Sequence, residues 1–535
     1  MIFRSPYADV TIPETPLTPL LLRHAGRLAE KPALIDDTSG RAYTYGELAA
    51  TVRRLAGNLA RRGFQKGDIF AICAPNSAEY AITLLAIWSL GGRSLTINPL
   101  YTAREMGEQL RGAGARYALT IPELAPRVRE AAGEVVETIY TFGEADGAIA
   151  FEPLMIEDAE PPEVAIDSRE DTAILLYSSG TTGLPKGVML THYNVVANIC
   201  QTQAITRVSD QDTLIASLPF FHIAAWVVLF HLGLYNGGSV VIQSRFDLER
   251  FLAALEKYEV TRTLLVPPIV LALGKQPAVD NYDLSKFTAL LVGAAPLGEN
   301  VARMCAERVG CLVQQAYGLS ETSPLAIVNP EDAQKLKLGS VGTCLPNTEC
   351  KIVDPASGAE LDIHQQGELW LRGPQIMKGY LNRPDATAAT IDQEGWLRTG
   401  DIGYADEDGH FYIVDRLKEM IKYKAMQVAP AELEAVLLSH PAVADAAVIP
   451  SPDEEAGEVP KAFVVLRGEA PEATPEALMA YVAERVAPHK KIRRLEFIEA
   501  APKTASGKIL RRVLIERERE LLAQHATPDA PATGA

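Results

Sequence analysis

The run Ile174-Leu-Leu-Tyr-Ser-Ser-Gly-Thr-Thr-Gly-Leu-Pro-Lys-Gly-Val-Met-Leu-Thr-His192 joins two apolar segments, Ala173–Tyr177 and Val188–Leu190, through a polar loop. The loop carries the hydroxyls of Ser178, Ser179, Thr181 and Thr182, the glycines Gly180, Gly183 and Gly187, and one cation, Lys186. Glycines let a tight backbone turn its N–H groups inward. Inward N–H groups, hydroxyls and a lysine together make a cradle for phosphate oxygens. A Walker A loop sets its lysine between Gly and Ser/Thr, whereas Lys186 follows Pro185 and precedes Gly187, so this loop is of another kind. On composition alone the competing reading is a flexible Ser/Thr/Gly loop between two strands.

Outward from this loop the chain alternates strand and helix. Leu48, Val52, Leu55 and Leu59 repeat at helical spacing and predict an amphipathic helix over Tyr45–Arg62, stopped by Gly63. Ile69–Cys73 reads as a strand, Asn76 or Ser77 as the cap of a helix running to Leu90, and Ser94–Ile97 as the next strand. The alternation recurs through Tyr117–Thr120, Val240–Gln243, Thr263–Val266 and Ala289–Val292, which argues for an α/β domain with largely parallel sheets. The first residues, to Pro16, read as an irregular arm, and Glu144–Asp171 as a surface connection. Beyond Gly339 short strands at Cys350–Val353, Glu368–Arg372 and His410–Val414 suggest a small β-rich subdomain. A last unit follows, with helices at Pro430–Ser439 and Pro475–Val486 and strands at Ala444–Ile449 and Ala462–Leu466. The expected division is a large multi-subdomain N-terminal domain over 1–416, a small mobile α+β domain over 417–523, and a disordered Ala/Pro/Thr tail over 524–535.

Composition narrows the function. At 535 residues with 47% apolar residues, the chain is that of a multidomain globular protein. A net charge of −17 without a Lys/Arg stripe argues against nucleic acid as partner. Six scattered cysteines without Cys-x-x-Cys spacing indicate neither a zinc site nor a disulfide framework, and fit a cytoplasmic location. No signal peptide or peroxisomal address is legible at the ends. Leu218–Asn236 carries no formal charge, but Pro219, His222, His231, Gly233 and Asn236 interrupt it. A buried helix is expected there rather than a membrane span.

Ser178–Gly187 resembles the phosphate-loop signature of the adenylate-forming superfamily: acyl-CoA synthetases, adenylation domains of peptide synthetases, and beetle luciferases. Further motifs follow in that family's order, and the similarity runs from about Tyr43 to Arg512, nearest to the 4-coumarate–CoA ligase and luciferase-like branch. The resemblance implies an acid–CoA ligase using ATP, Mg²⁺ and coenzyme A, working as a monomer or homodimer. In its first half-reaction a carboxylate attacks the α-phosphate of ATP and pyrophosphate leaves. Both reactants are anions, so cations and oriented donors must offset their repulsion.

By the same resemblance, Gln315-Ala-Tyr-Gly-Leu-Ser-Glu-Thr322 places Gln315, Ala316 and Gly318 against the nucleotide, with Tyr317 stacked on adenine and Ser320 at phosphate. Glu321 would hold Mg²⁺; a lone carboxylate suits that ion, which takes its other ligands from phosphate and water. Gly293-Ala294-Ala295-Pro296 would lie against the adenine ring, and Asp401 and Arg416 at the ribose. In Pro502-Lys-Thr-Ala-Ser-Gly-Lys-Ile-Leu510, Lys508 is expected to bridge the substrate carboxylate and the α-phosphate. Lys418 takes the hinge position, about which the small domain would turn to present Lys508 and then Lys422. Gln427 is expected near the AMP phosphate. Ala425 departs from the family's glycine on the passage for the pantetheine arm. Slower thioester formation is expected from it, and an acyl-AMP ligase serving another acceptor is the second reading. A non-catalytic acyl or nucleotide sensor is the third, and a mere binder would have no use for Lys508.

The acid pocket is carried over from Pro219-Phe-Phe-His-Ile-Ala-Ala-Trp-Val-Val228. His222 is expected at its mouth, and Ala224, Ala225, Val228, Ala294, Ala316, Pro324 and Leu325 along it, with Trp226. His231, half a turn out of phase with His222, reads as a core residue. Hydroxycinnamate ligases usually place Tyr where Ala224 stands, so a phenol would lose its partner there. The expected substrate is therefore an uncharged, hydrophobic acid: a medium-chain fatty acid or a phenylpropanoid without a polar ring end.

Overall fold

A computed structural model describes residues 1–178, 185–424, 426–453, 455–468, 473–504 and 507–525. Its described strands form sheets of eight, nine, five and five strands. In the first, Ile69–Cys73 pairs in parallel with Arg93–Thr96 and Tyr117–Thr120, and Arg93–Thr96 with Thr172–Ser178. The second runs through parallel pairs that join Thr213–Ala216, Ser239–Ile242, Arg262–Leu265, Ala289–Val292 and Leu312–Gly318. Helices are placed where the sequence caps them. Thr44 and Glu47 form a reciprocal cap on Tyr45–Arg61, and Ser77 accepts from the Tyr80 N–H to start Ala78–Ser89. Asn76 has other work: its side chain holds the Leu218 carbonyl and the Phe220 N–H at 2.8 and 2.7 Å, tying the first sheet to the segment that ends in His222.

The α/β class expected from the alternation is what the structure has, with a large multi-sheet N-terminal part and a smaller C-terminal one. Local corrections are four. Ile2–Arg4 is a strand paired with Glu349–Lys351 rather than irregular, and Glu152–Ile156 is a short helix inside the expected surface connection. The strands of the last unit are longer than expected, Val443–Asp453 and Gly457–Leu466. Fourth, Leu218–Asn236 is buried but not one regular helix: Ile223–Ala225 leads into a π-helical turn, Trp226–His231, before Leu232–Asn236. No described helix is long and apolar enough to cross a membrane.

Apolar side chains up to Phe411 form a large core, with Ile413 packed against it, and a smaller one around Ile69, Leu95, Leu110 and Leu175. From Ile421 on, Val428, Leu433, Leu437, Val448 and Val464 form a separate one. The segment between the large core and this last one crosses from one body to the other by strand Phe411–Arg416 and hairpin Ile421–Val428.

Candidate active site

The two apolar segments of the opening run are antiparallel strands, Thr172–Ser178 and Lys186–Thr191, with Ser178 opposite Lys186 at the hairpin's end. Ser179, Gly180, Thr181, Thr182 and Gly183, the heart of the expected phosphate cradle, lie outside the described residues, as does Ala425. The flanks are described. Lys186 is 9% exposed, and its ammonium lies 4.5 Å from the ring centre of Tyr380, which the strand Gly379–Tyr380 brings alongside Val188–Met189. No carboxylate among the described residues pairs with Lys186. An ammonium on an aromatic face with no carboxylate partner among the described residues is placed to meet an incoming anion.

Glu321 stands on the short turn Ser320–Thr322, which also carries Ser320. Its Oε1 accepts from Tyr380 Oη at 2.8 Å and from Ser178 Oγ at 3.1 Å. Both donors use the same oxygen, and no described contact takes Oε2. This donor set fits Mg²⁺: one anchored carboxylate presents one oxygen, with phosphate and water left to complete the shell. Among the described residues no cluster of three His, Cys, Asp or Glu offers an alternative cage. Tyr380 is the residue that sequence reasoning missed. A two-residue strand has no periodicity to detect, and the Gly-Tyr pair reads as a turn.

Asp401 and Arg416 are register partners on adjacent antiparallel strands of the first five-stranded sheet, with Arg416 Nε 3.3 Å from Asp401 Oδ1. Tyr317, at the end of strand Leu312–Gly318, donates its hydroxyl to Asp401 Oδ2 at 2.6 Å. Asp401 is 4% exposed. Burial pushes its carboxyl above the usual range, against the pull of Arg416 and of the Tyr317 hydroxyl. Gln315 is buried and accepts the Leu297 N–H, fixing the turn that holds Gly293, Ala294, Ala295 and Pro296. Ala294 has a φ of 70°, a backbone region that usually falls to glycine. Gly318 is obligatory: a Cβ there would sit 1.9 Å from the Pro324 carbonyl oxygen.

His222 is positioned by Asn76, by Thr96 Oγ1, which donates to the Phe221 carbonyl at 3.1 Å, and by the Phe221 ring 4.4 Å away. Ala224 is partly buried, and Val228, Ala316, Pro324 and Leu325 are buried. Trp226 corrects the expectation: it is fully buried and stacks on Trp88 at 5.5 Å, because the π-helical turn directs it into the core rather than along the pocket. Ala225 is likewise 1% exposed. His231 is a core residue, edge-on to both tryptophans.

Lys508 arrives from the C-terminal unit. Its loop is closed by Thr504 N to Lys508 O and Leu510 N to Pro502 O bonds, both 2.8 Å, and Gly507 packs beside Val266 and Pro268 of the large part. Burial lowers the Lys508 ammonium to about 8, with the Arg416 charge adding to it and Glu419 and Asp401 opposing. His222 is held down at about 4 by burial and by the charge of Lys508, so Lys508, Asp401, Arg416 and His222 share one electrostatic neighbourhood. Lys422 and Gln427 face one another across the hairpin Ile421–Val428 and are exposed, and no described contact joins them to Asp401 or Glu321. Lys418 is exposed beside them.

The site thus gathers Ser178 and Lys186 from one sheet, Tyr317 and Glu321 from the second, Asp401 and Arg416 from the third, and Lys508 from the last unit. The family described as AMP-binding enzyme matches residues 21–381, and its C-terminal domain matches residues 432–508. A 4-coumarate–CoA ligase of Petroselinum crispum is 41% identical over 99% of this chain and 98% of its own. ATP-bound MatB from Rhodopseudomonas palustris superposes with a TM-score of 0.86 at 28% identity, covering 94% of this chain and 99% of MatB. Apo MatB from the same organism gives a TM-score of 0.76 at 28% identity, covering 95% of this chain and all of its own. The chain belongs to the AMP-binding, adenylate-forming enzymes.

Proposed function

We propose that this protein is an ATP-dependent acid–CoA ligase that activates an uncharged, hydrophobic carboxylic acid through an acyl-AMP intermediate. The single observation that carries the reading is the Lys508 loop of the C-terminal unit lying with Gly507 against Val266 and Pro268 of the large part, which brings the Lys508 charge to bear on His222. Full-length similarity to 4-coumarate–CoA ligases supports CoA as the acceptor.

In this reading the phosphates of ATP lie against Lys186 and the loop 179–184, and the ribose meets Asp401 and Arg416. Mg²⁺ bound at Glu321 would offset phosphate charge, with Ser178 and Tyr380 orienting the carboxylate. Lys508, a cation at neutral pH, draws the acid's carboxylate and the α-phosphate together. The carboxylate oxygen attacks the α-phosphorus, and the bond to pyrophosphate breaks. Neutral His222 places no second positive charge at the pocket mouth. In the second step the CoA thiolate attacks the acyl carbonyl and AMP leaves. Lys422 and Gln427, exposed in the present arrangement, come into use once the last unit turns about Lys418. Ala425 slows this step relative to the first. Ala224, Val228 and Leu325 favour a medium-chain fatty acid or an unsubstituted phenylpropanoid, because no hydroxyl stands at Ala224 to meet a phenol.

Mass spectrometry of the protein with ATP, Mg²⁺ and a panel of acids, with and without CoA, tests the reading. Acyl-CoA from octanoate or cinnamate is expected. Acyl-AMP without acyl-CoA refutes the acceptor, and better turnover of 4-coumarate than of cinnamate or octanoate refutes the hydrophobic pocket.

A further inference from the structure

Helix Pro430–Leu438 begins without a cap of its own. Its N-cap residue is Ala429, whose side chain can accept nothing, and Pro430 follows. The missing acceptor comes from the other body: Asp415 Oδ2 takes the Ala431 N–H at 2.9 Å. Asp415 sits on strand Phe411–Arg416, 7% exposed, directly before Arg416, and its second oxygen takes the Arg416 N–H at 2.7 Å. One carboxylate therefore joins the strand that carries the ribose-side arginine to the first turn of a helix in the C-terminal core.

That helix is in turn fastened to the lysine loop. Glu434 accepts both N–H groups of one Arg511 nitrogen fork at 2.8 Å each, and also holds the Val448 N–H at 2.8 Å. Arg511 pairs with Glu419 as well, and its Nε donates to the Val448 carbonyl at 3.1 Å. Arg511 opens the helix that follows Lys508. Bidentate, nearly buried pairs of this kind hold their elements as one body. Asp415 thus fixes helix Pro430–Leu438, Glu434 and Arg511 carry that placement onward, and Lys508 is set against Asp401.

We infer that Asp415 is a positioning residue whose cap on helix Pro430–Leu438 holds the C-terminal unit in the acyl-AMP-forming arrangement and has to break before the thioester step. The inference rests on the two-step reading above. A turn of the C-terminal unit about Lys418 carries Ala431 away from Asp415, so the cap exists only on the first side of the cycle. A side-chain cap at a helix N-terminus changes an equilibrium about fivefold, and its loss shifts the balance between the two arrangements by that factor.

The test uses the full chain and three variants. Asp415→Ala removes the acceptor, Asp415→Asn keeps an oxygen that can cap, and Ala431→Pro removes the donor from the other body at a first-turn position where proline is tolerated. Expected in Asp415→Ala and in Ala431→Pro are slower acyl-AMP formation and quicker tryptic cleavage after Lys418, Lys422 or Lys424, the two factors multiplying to about five, as a fivefold shift between two arrangements requires. KM for ATP should be unchanged in Ala431→Pro, which leaves the Asp415 bond to the Arg416 N–H intact. Thioester formation from supplied acyl-AMP should be unchanged or faster. Asp415→Asn, whose one oxygen can serve only one of the two N–H donors, should fall between the parent and Asp415→Ala. Parallel loss of both half-reactions, or neither slower acyl-AMP formation nor quicker cleavage, overturns the inference. Failure of the parent chain to make acyl-AMP overturns the two-step reading instead, and the cleavage rates then still decide whether the cap holds the two bodies together.

Discussion

Replacing His231 by leucine should stabilise the protein, and more so in acid. His231 is fully buried, edge-on to Trp88 and Trp226 at 5.5 Å, and neither ring nitrogen has a hydrogen-bond partner among the described residues. Orphaned polar atoms in a core cost about 1–3 kcal/mol, which an apolar side chain of similar size avoids. Burial also lowers its pKa to about 3, against roughly 6.5 in the unfolded chain. Above the unfolded value both states are neutral and the shift costs nothing. As pH falls through that value, the unfolded chain takes a proton that the folded one refuses, so stability is lost between the two values. By linkage this loss reaches roughly 2 kcal/mol at pH 5. The leucine variant should therefore lead the parent by about 1 kcal/mol at pH 7.5 and about 3 kcal/mol at pH 5. Urea midpoints followed by tryptophan fluorescence measure this where it arises, since Trp88 and Trp226 flank the position. A lead that does not grow as pH falls would refute the reasoning, for His231 would then have found a partner.

Three further outcomes follow from the site. Lys508→Ala should lower acyl-AMP formation by at least about a hundredfold while leaving KM for ATP within a few-fold, and the parent's rate should fall as pH rises through about 8, where Lys508 loses its proton. Tyr380→Phe keeps the ring beneath Lys186 but removes the hydroxyl that orients Glu321. The Mg²⁺ concentration for half-maximal rate should rise about tenfold, read from a metal titration. Gly318→Ala drives a Cβ into the Pro324 carbonyl, and should cost about 1–3 kcal/mol or more in unfolding together with nearly all activity.

The sequence carried a large share of this. Glycine-bounded apolar runs identified the parallel strands, because strands buried on both faces have to be continuously apolar. Ser178, Lys186, Glu321 and Lys508 were legible as motif residues because each sits at a turn or strand end marked by glycine or proline, and Asp401, inside strand Leu397–Ala405, because it follows Thr399-Gly400. Elements formed by distant pairing were not legible. Ile2–Arg4 is a strand only because Glu349–Lys351 waits for it, and Gly379–Tyr380 only because Val188–Met189 does. Trp226 was placed along the pocket by its position in the resembling segment, and the π-helical turn that sends it into the core leaves no mark in the sequence. The part played by Asp415 was not legible either, since nothing in its neighbourhood announces that its partner is the first turn of a later helix.

The division of the site between bodies has a thermodynamic corollary. The groups proposed to meet phosphate, metal and ribose belong to the large part, while the lysine proposed to drive the first bond-making belongs to the small one. Nucleotide binding and the placement of the two bodies are then linked. A nucleotide held by both bodies favours the arrangement in which they meet, and by reciprocity whatever favours that arrangement tightens the nucleotide. ATP is in this sense a ligand of the arrangement as well as a substrate.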